Sequence, residues 1–408
     1  MPSQTKPLDQ RTSRIEDELI LLCARAQVNE QTSARIKSIV SSPIAIDWDY
    51  LYRLARRHSV LPLVCAQLSN LAEFVAPDQL ARFRKNYQEN AARNLLLTGE
   101  LCRILQAFAA AGIEAVPYKG PALAVYAYGN PALRRFVDLD ILLRKSDILR
   151  ARKILTADGF VCGPPWSDAQ EALLLETQHN LSLSRYEGRL IVELHWELGS
   201  GLNASSLQAD EVWSRLESMR LNGTWVKCLA PEDLLLSLCV HGSKHHWERL
   251  AWICDIAELL NTRPGLSWDL MLARASHPGN DRMLFLGLYL ANSLLDAPLP
   301  EQIKSQIDGD LVIPRLAREV SQRLFRLDGQ TPLTITQSFR FHWALRKGWQ
   351  ARVRYCGHAL NPSDADIESV PLPRAFGFAY YLLRPFGLLR RDRQRHAVVT
   401  KSPLGGAG

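Results

Sequence analysis

Two aspartates one residue apart, Asp138 and Asp140, lie in the run Phe136-Val137-Asp138-Leu139-Asp140-Ile141-Leu142-Leu143. The apolar residues around them read as a strand, and alternate side chains of a strand share a face. Both carboxylates therefore project to one side, where they repel each other unless a cation sits between them. Hard oxygen ligands suit Mg²⁺, which takes one or two carboxylates together with waters and substrate phosphates. A third acid, Glu193, stands in Ile191-Val192-Glu193-Leu194-His195-Trp196, with His195 and Glu197 on the same face of that strand. A second group of candidates is His241-x₃-His245-His246. Histidines at i and i+4 on a helix can share a metal, and Asp255 from the next helix could join them.

The elements that must position these residues follow from periodicity and breakers. Residues 1–14 read as a disordered lead-in and 15–111 as a helical region. Leu51, Leu54, Ala55, Leu61 and Leu63 mark one buried face there, and His58 reads as a helix-end residue. Pro77 to Ala111 reads as one long helix with Leu95, Leu96, Leu101, Ile104, Leu105 and Phe108 as its apolar stripe, closed by Gly112. Ile113 to Tyr118 is the first core strand and ends in Lys119-Gly120. A helix from Pro121 to Tyr128 follows, with proline where a missing N–H costs nothing, and Gly129-Asn130-Pro131 breaks it.

Beyond the aspartates, Ser146 reads as the N-cap of a helix that carries Ile148, Ala151, Ile154 and Leu155 on its apolar side. Phe160-Val161-Cys162 has the look of another strand, and His179 to Tyr186 pairs with Leu190 to Leu198 around Gly188 as a hairpin. The pattern from Leu207 onward is helical. One helix opens at Pro231-Glu232-Asp233 and runs into the histidines, where Gly242 weakens it, and another ends near Asn261. Residues 201–350 thus form a helical C-terminal domain.

The combination of Lys119-Gly120, Arg134-Arg135, Asp138-x-Asp140 and the later Glu193 resembles the nucleotidyltransferase fold of the polymerase-β-like superfamily. Within it, the chain is most similar to a bacterial group described as uncharacterised nucleotidyltransferases. The core of the likeness runs from about Gly112 to Trp196, inside a core domain of residues 112–200. The resemblance implies an α/β (α+β) fold, a small mixed sheet flanked by helical regions. It also implies Mg²⁺- or Mn²⁺-dependent transfer of a nucleoside monophosphate from an NTP such as ATP. Asp138, Asp140 and Glu193 would be catalytic and hold the metal; two ions sharing three carboxylates can stabilise both attacking and leaving oxygens. Lys119, Gly120, Arg134, Arg135 and Lys244 would contact the nucleotide, through charge and through backbone N–H groups at the helix that follows Gly120. His195, His241, His245 and Asp255 are left for an acceptor or second site.

The chain departs from the superfamily in having Gly120-Pro121 where Gly-Ser or Gly-Gly is usual, and in a gap of 138 − 120 = 18 positions to the first aspartate. Two other readings stand beside the transferase. One is a metal-dependent phosphohydrolase at His241, His245, His246 and Asp255, although that chemistry expects a His-Asp pair and the dipeptide here is His245-His246. The other is a nucleotide-binding module without catalysis.

At 408 residues and 47% hydrophobic content the chain can bury a large core, and a net charge of +7 fits a protein that handles phosphates. Eight cysteines occur singly, with no CxxC pair, which reads as reduced thiols in a cytoplasmic protein. Nothing in the start resembles a signal peptide, and no apolar run approaches the ~20 residues of a membrane span. Basic residues are dispersed, so a small molecule, sugar or peptide fits as acceptor better than nucleic acid. Residues 351–391 form an aromatic and basic segment. Its part 376–391 reads as a helix packed on the body, with peripheral membrane contact as the alternative. Residues 392–408 read as a disordered tail.

Overall fold

The computed structural model describes residues 14–163, 167–198, 209–276, 280–326 and 333–359. The expectations for the lead-in, for 376–391 and for the tail fall outside these residues. Helices α1 (Ile15–Cys23), α2 (Glu30–Val40), α3 (Trp48–Arg57) and α4 (Leu61–Ser69) precede α5 (Pro77–Ala110), which is 34 residues long. Strand β1 (Ala115–Pro117), helix α6 (Gly120–Tyr128), strand β2 (Asp138–Leu143) and helices α7 (Ile148–Ala157) and α8 (Asp168–Thr177) follow. Strands β3 (Asn180–Arg185) and β4 (Leu190–His195) form the expected hairpin, with Tyr186, Glu187 and Gly188 all at positive φ.

These strands make one sheet in the order β1-β2-β4-β3. β2 and β4 run parallel at its centre, and the outer pairs are antiparallel. This is the small mixed sheet, set among helices, that the family resemblance implies. β4 stops at His195 instead of continuing to Leu198, so Glu197 does not extend its polar face. Val161 makes only an isolated bridge to Ser184.

After α9 (Ala209–Ser214) the structure departs from the helical reading. Strands β5 (Glu217–Leu221) and β6 (Thr224–Cys228) form a second, two-stranded sheet. Their turn is Asn222-Gly223, both at positive φ, the strongest short hairpin signal a sequence offers. Helices α10 (Pro231–Lys244), α11 (Leu250–Thr262), α12 (Trp268–Ala275), α13 (Asp281–Leu295), α14 (Glu301–Asp308), α15 (Val312–Leu324), α16 (Ile335–Leu345) and α17 (Trp349–Ala359) complete the described chain.

Two large apolar cores hold most of these elements, and a small cluster of Ala122, Met219 and Cys228 packs α6 on the second sheet. One large core lies under the first sheet. Leu139, Ile141, Val192 and Leu194, on the face opposite the acids, pack on Leu101, Ile104 and Phe108 of α5 and on Ile148, Ala151 and Leu155 of α7. Each of these side chains except Ala151 contributes about 1.5–3 kcal/mol. In α5 the stripe is shifted from its expected place, because Leu95 and Leu96 are 67% and 76% exposed while Asn94, Leu97 and Thr98 face inward. The other core is shared by the helices before and after the sheet, with Leu51, Leu63 and Val64 in the same cluster as Leu235, Ile253, Leu286 and Leu316. His58 caps α3, as its position predicts, and is fully buried at this junction. Its Nε2 lies 2.9 Å from the Leu324 carbonyl and its Nδ1 accepts from the Leu250 N–H at 3.2 Å.

Helix α10 passes straight through Gly242, where the composition suggested weakness. The reason is Trp247, fully buried, whose ring lies so close that a Cβ on Gly242 would fall inside it. Gly287 of α13 forms the other side of the slot, where a Cβ would stand 2.7 Å from Cys239 Sγ and 3.0 Å from the same ring. Gly242→Ala is expected to lose about 2 kcal/mol, overpacking outweighing the gain in helix propensity. A urea midpoint equal to wild type would refute this packing.

Seven of the cysteines are buried and Cys356 is exposed, all as free thiols. Among the described residues no helix is long and apolar enough to cross a membrane.

Candidate active site

The acids converge through strand register. Asp140 pairs with Glu193 across the parallel β2/β4 ladder, and Asp138 lies two residues back on the same face. His195, two residues beyond Glu193, places Nε2 3.0 Å from Asp140 Oδ1 and 3.2 Å from Glu193 Oε2. With two carboxylates as partners, this nitrogen must carry the proton. Lys119 Nζ donates to Asp140 Oδ1 at 2.7 Å, and Asn180, facing His195 on β3, donates to Glu193 Oε2 at 3.4 Å.

Lys119 reaches Asp140 because β1 ends beside β2 and the chain turns sharply at Gly120. Gly120 has φ +52°, and a Cβ there would stand 3.0 Å from the Asp138 carbonyl oxygen. Only glycine meets both demands at little cost. The helix start after it offers less to an anion than the sequence promised. Pro121 has no N–H, and the N–H groups of Ala122 and Leu123 both donate to the Lys119 carbonyl.

The charges are uneven. Burial opposes ionisation of Asp140, but the Lys119 ammonium and His195 hold its carboxyl far below the usual range. The His195 hydrogen bond draws Glu193 down as well. Asp138 is pushed up to about 6, by burial first and then by Asp140. Among the described residues its carboxylate receives no hydrogen bond and joins no ion pair. An unsatisfied carboxylate beside two others is a donor set that a divalent cation would complete. Asp140, Glu193 and His195 are also the one group of three His, Cys, Asp or Glu, among the described residues, whose ligand atoms gather within 4.8 Å.

The arginines divide. The Arg134 guanidinium is spent on Asp255, with Nε 2.7 Å from Oδ1 and Nη2 2.9 Å from Oδ2, and Nη1 lies 3.5 Å from the Gly120 carbonyl. Tyr128 Oη donates to the same Asp255 at 2.7 Å. Arg134 is thus a strut between the sheet and α11 and not a free phosphate contact. Asp255 is equally withdrawn from the histidines. The loop carrying Arg134 is tied to α5 by the buried Asn94, which donates to the carbonyls of Pro131 and Arg134 at 2.7 Å each. Both arginines line the cleft, and Arg135 is the exposed one of the two.

That cleft has a volume of about 620 Å³ and includes Lys119, Asp138, Asp140, Glu193, His195, His241, Lys244 and His245. The expected cluster of four metal ligands does not form. His246 sits at φ +55°, which turns it away to Ser338 Oγ at 2.9 Å. His241 and His245 remain in the cleft, packed at 4.7 Å on each other and at 5.4 and 5.3 Å on Trp252 as an aromatic wall. Burial, then the nearby lysines, keeps both imidazoles neutral, with His245 drawn down to about 4. Lys244 Nζ stands 3.3 Å from His179 Nε2.

Sequence reasoning missed several lining residues. Asn180 and His179 were legible as polar groups opposite Glu193 and His195 in the hairpin. Trp252, Arg56 and Arg249 carry no motif. No curated protein and no solved structure shows a significant match to the chain. A family model described as "uncharacterised nucleotidyltransferase" matches residues 45–296, which run from α3 through the sheet to α13. The chain therefore belongs to this family of uncharacterised nucleotidyltransferases.

Proposed function

We propose that the cleft transfers a nucleoside monophosphate from an NTP to a hydroxyl or phosphate of an acceptor, with Mg²⁺ or Mn²⁺. The observation that carries this reading is the convergence of Asp138, Asp140 and Glu193 on two parallel strands, beside the Lys119-Gly120 turn. Asp138, Asp140 and Glu193 would hold the metal, with His195 fixing the orientation of two of the carboxylates. A bound divalent ion supplies charge stabilisation to the attacking and leaving oxygens.

Lys119, which donates to Asp140 at 2.7 Å, would place its ammonium beside the phosphates of a bound NTP. Glu193, tied only through His195 and Asn180, accepts the proton of an acceptor hydroxyl. Lys244 and Arg135 add positive charge along the cleft for the leaving pyrophosphate.

Asp138 must lose its proton to act as a ligand, so apparent Mg²⁺ affinity is expected to fall roughly tenfold per unit below pH 6. The sign for stability follows from the same shift. The carboxyl is raised from 3.8 to about 6, so its contribution is present below 3.8 and lost as pH rises through about 6. Added Mg²⁺ then restores stability above pH 6 and not below pH 4. Calorimetry in buffers of different ionisation enthalpy checks this, and Mg²⁺ binding near pH 6 without proton release would contradict it.

The reaction is tested by pyrophosphate release from each of the four NTPs with Mg²⁺ or Mn²⁺, with cell extract as the acceptor source. Metal-dependent release with a labelled product supports the transferase and identifies the acceptor. NTP binding without release would replace it with a binding module, and absence of NTP binding would end both.

A further inference from the structure

The cleft has a second pole, made of arginines from three separate elements. Arg56 lies near the end of α3, Arg135 in the extended run before β2, and Arg249 just before α11. All three side chains are exposed and line the same cleft as the carboxylates. None makes an ion pair or a side-chain hydrogen bond among the described residues, and Glu248, the acid on the same rim, makes no ion pair with them. The one ring contact is Arg249 over Trp252 at 5.8 Å. All three line the one cleft, and the charges of Arg93, Arg249 and Arg56 act on Arg135 there.

Like charges gathered from distant parts of a chain repel, and the arrangement costs free energy unless an anion occupies it. Arg134, one residue away, shows the alternative, because it is satisfied by Asp255. Arginine's planar fork suits the paired oxygens of a phosphoryl group. Asp138 is three residues on from Arg135, a span of up to roughly 10 Å, enough to keep the two poles apart.

We propose that Arg56, Arg135 and Arg249 form a phosphate-binding subsite at the rim of the cleft, distinct from the carboxylates. It takes a phosphoryl group that is not under attack, either the terminal phosphate of the NTP or a phosphate carried by the acceptor. The proposal draws on the transferase reading only for these two sources of the phosphate. It also gives the helices before the sheet, through Arg56, a direct part in substrate binding.

The test is calorimetric titration of the full chain with inorganic tripolyphosphate, free of divalent metal. Arg56→Ala/Arg249→Ala is expected to bind at least about tenfold more weakly than wild type. Asp138→Asn is expected to bind at least as tightly as wild type, because it removes a repelling charge. A melting temperature for the alanine variant equal to wild type, with partial recovery in Arg56→Lys/Arg249→Lys, separates lost contact from misfolding. Unchanged affinity in the alanine variant overturns the proposal, as does absence of binding by wild type.

A second titration uses inorganic phosphate in the presence of saturating non-hydrolysable NTP and Mg²⁺. Arginine-dependent binding that persists assigns the subsite to the acceptor; displacement by the NTP assigns it to the triphosphate. Neither titration requires turnover. Arginine-dependent binding in a chain that releases no pyrophosphate would retire the transferase reading and leave the subsite standing.

Discussion

Asp138→Ala is expected to lower metal-dependent pyrophosphate release by at least about a thousandfold while leaving the fold as stable as wild type or more so. The activity loss follows from several kcal/mol of charge stabilisation that a metal supplies only when its ligands are in place. The stability outcome follows from the carboxylate itself, which is desolvated, repelled by Asp140 and without a partner. Asp140→Ala is expected to lose as much activity and to lose stability as well, because Lys119, 13% exposed, would be left without its carboxylate. The contrast between the two aspartates is the informative result. Retained activity in Asp138→Ala would remove the carboxylates from the chemistry, and an equal loss of stability in both would remove the charge argument.

The second large effect is expected away from the carboxylates. Asp255→Ala should destabilise the chain by about 3–5 kcal/mol, the usual consequence of leaving one buried charge unpaired. Three groups depend on it, the Nε and Nη2 of Arg134 and the hydroxyl of Tyr128, and Asp255 is 2% exposed. Replacing both partners with apolar side chains, Arg134→Met with Asp255→Leu, should recover most of the loss, since ions of this kind are costly to desolvate in the first place. Urea unfolding measures both. A single variant within about 1 kcal/mol of wild type would mean that the pair is a bystander.

The sequence carried the local part of this site and not the distant part. Asp138 and Asp140 were legible because a strand's two-residue period alone puts them on one face. Glu193 came from the family resemblance, since turn residues at 186–188 supply only the β3–β4 hairpin and the parallel pairing of β4 with β2 is a tertiary fact. Gly120 was visible as a turn, but its close approach to the Asp138 carbonyl is a tertiary fact. The pairing of Arg134 with Asp255 is something that no window of sequence reveals. The partner lies 121 residues further on, and composition cannot say which of two adjacent arginines is already taken.

The histidine cluster failed similarly. The i, i+4 spacing of His241 and His245 holds, but a left-handed backbone at His246 and Trp247 sends the next residues elsewhere. The β5–β6 hairpin is a different case, since Asn222-Gly223 announced it and the flanking Met219, Leu221 and Val226 were read as helical. The fold class stood despite these differences because the resemblance supplied the sheet, while local periodicity supplied the single strands and helices around it.

The shared core of the early and late helices has a consequence for how the chain is made. His58 is bonded to backbone 192 and 266 residues downstream. At about 5–20 residues per second, the ribosome needs tens of seconds to deliver those partners after His58 emerges. Through that interval the apolar faces of α3 and α4 can pack only on early helices such as α1 and α5, and the part that later meets the late helices is left to whatever else is in the cell. Yield of active protein should therefore depend on chaperone supply and growth temperature far more than the stability of the finished fold would suggest.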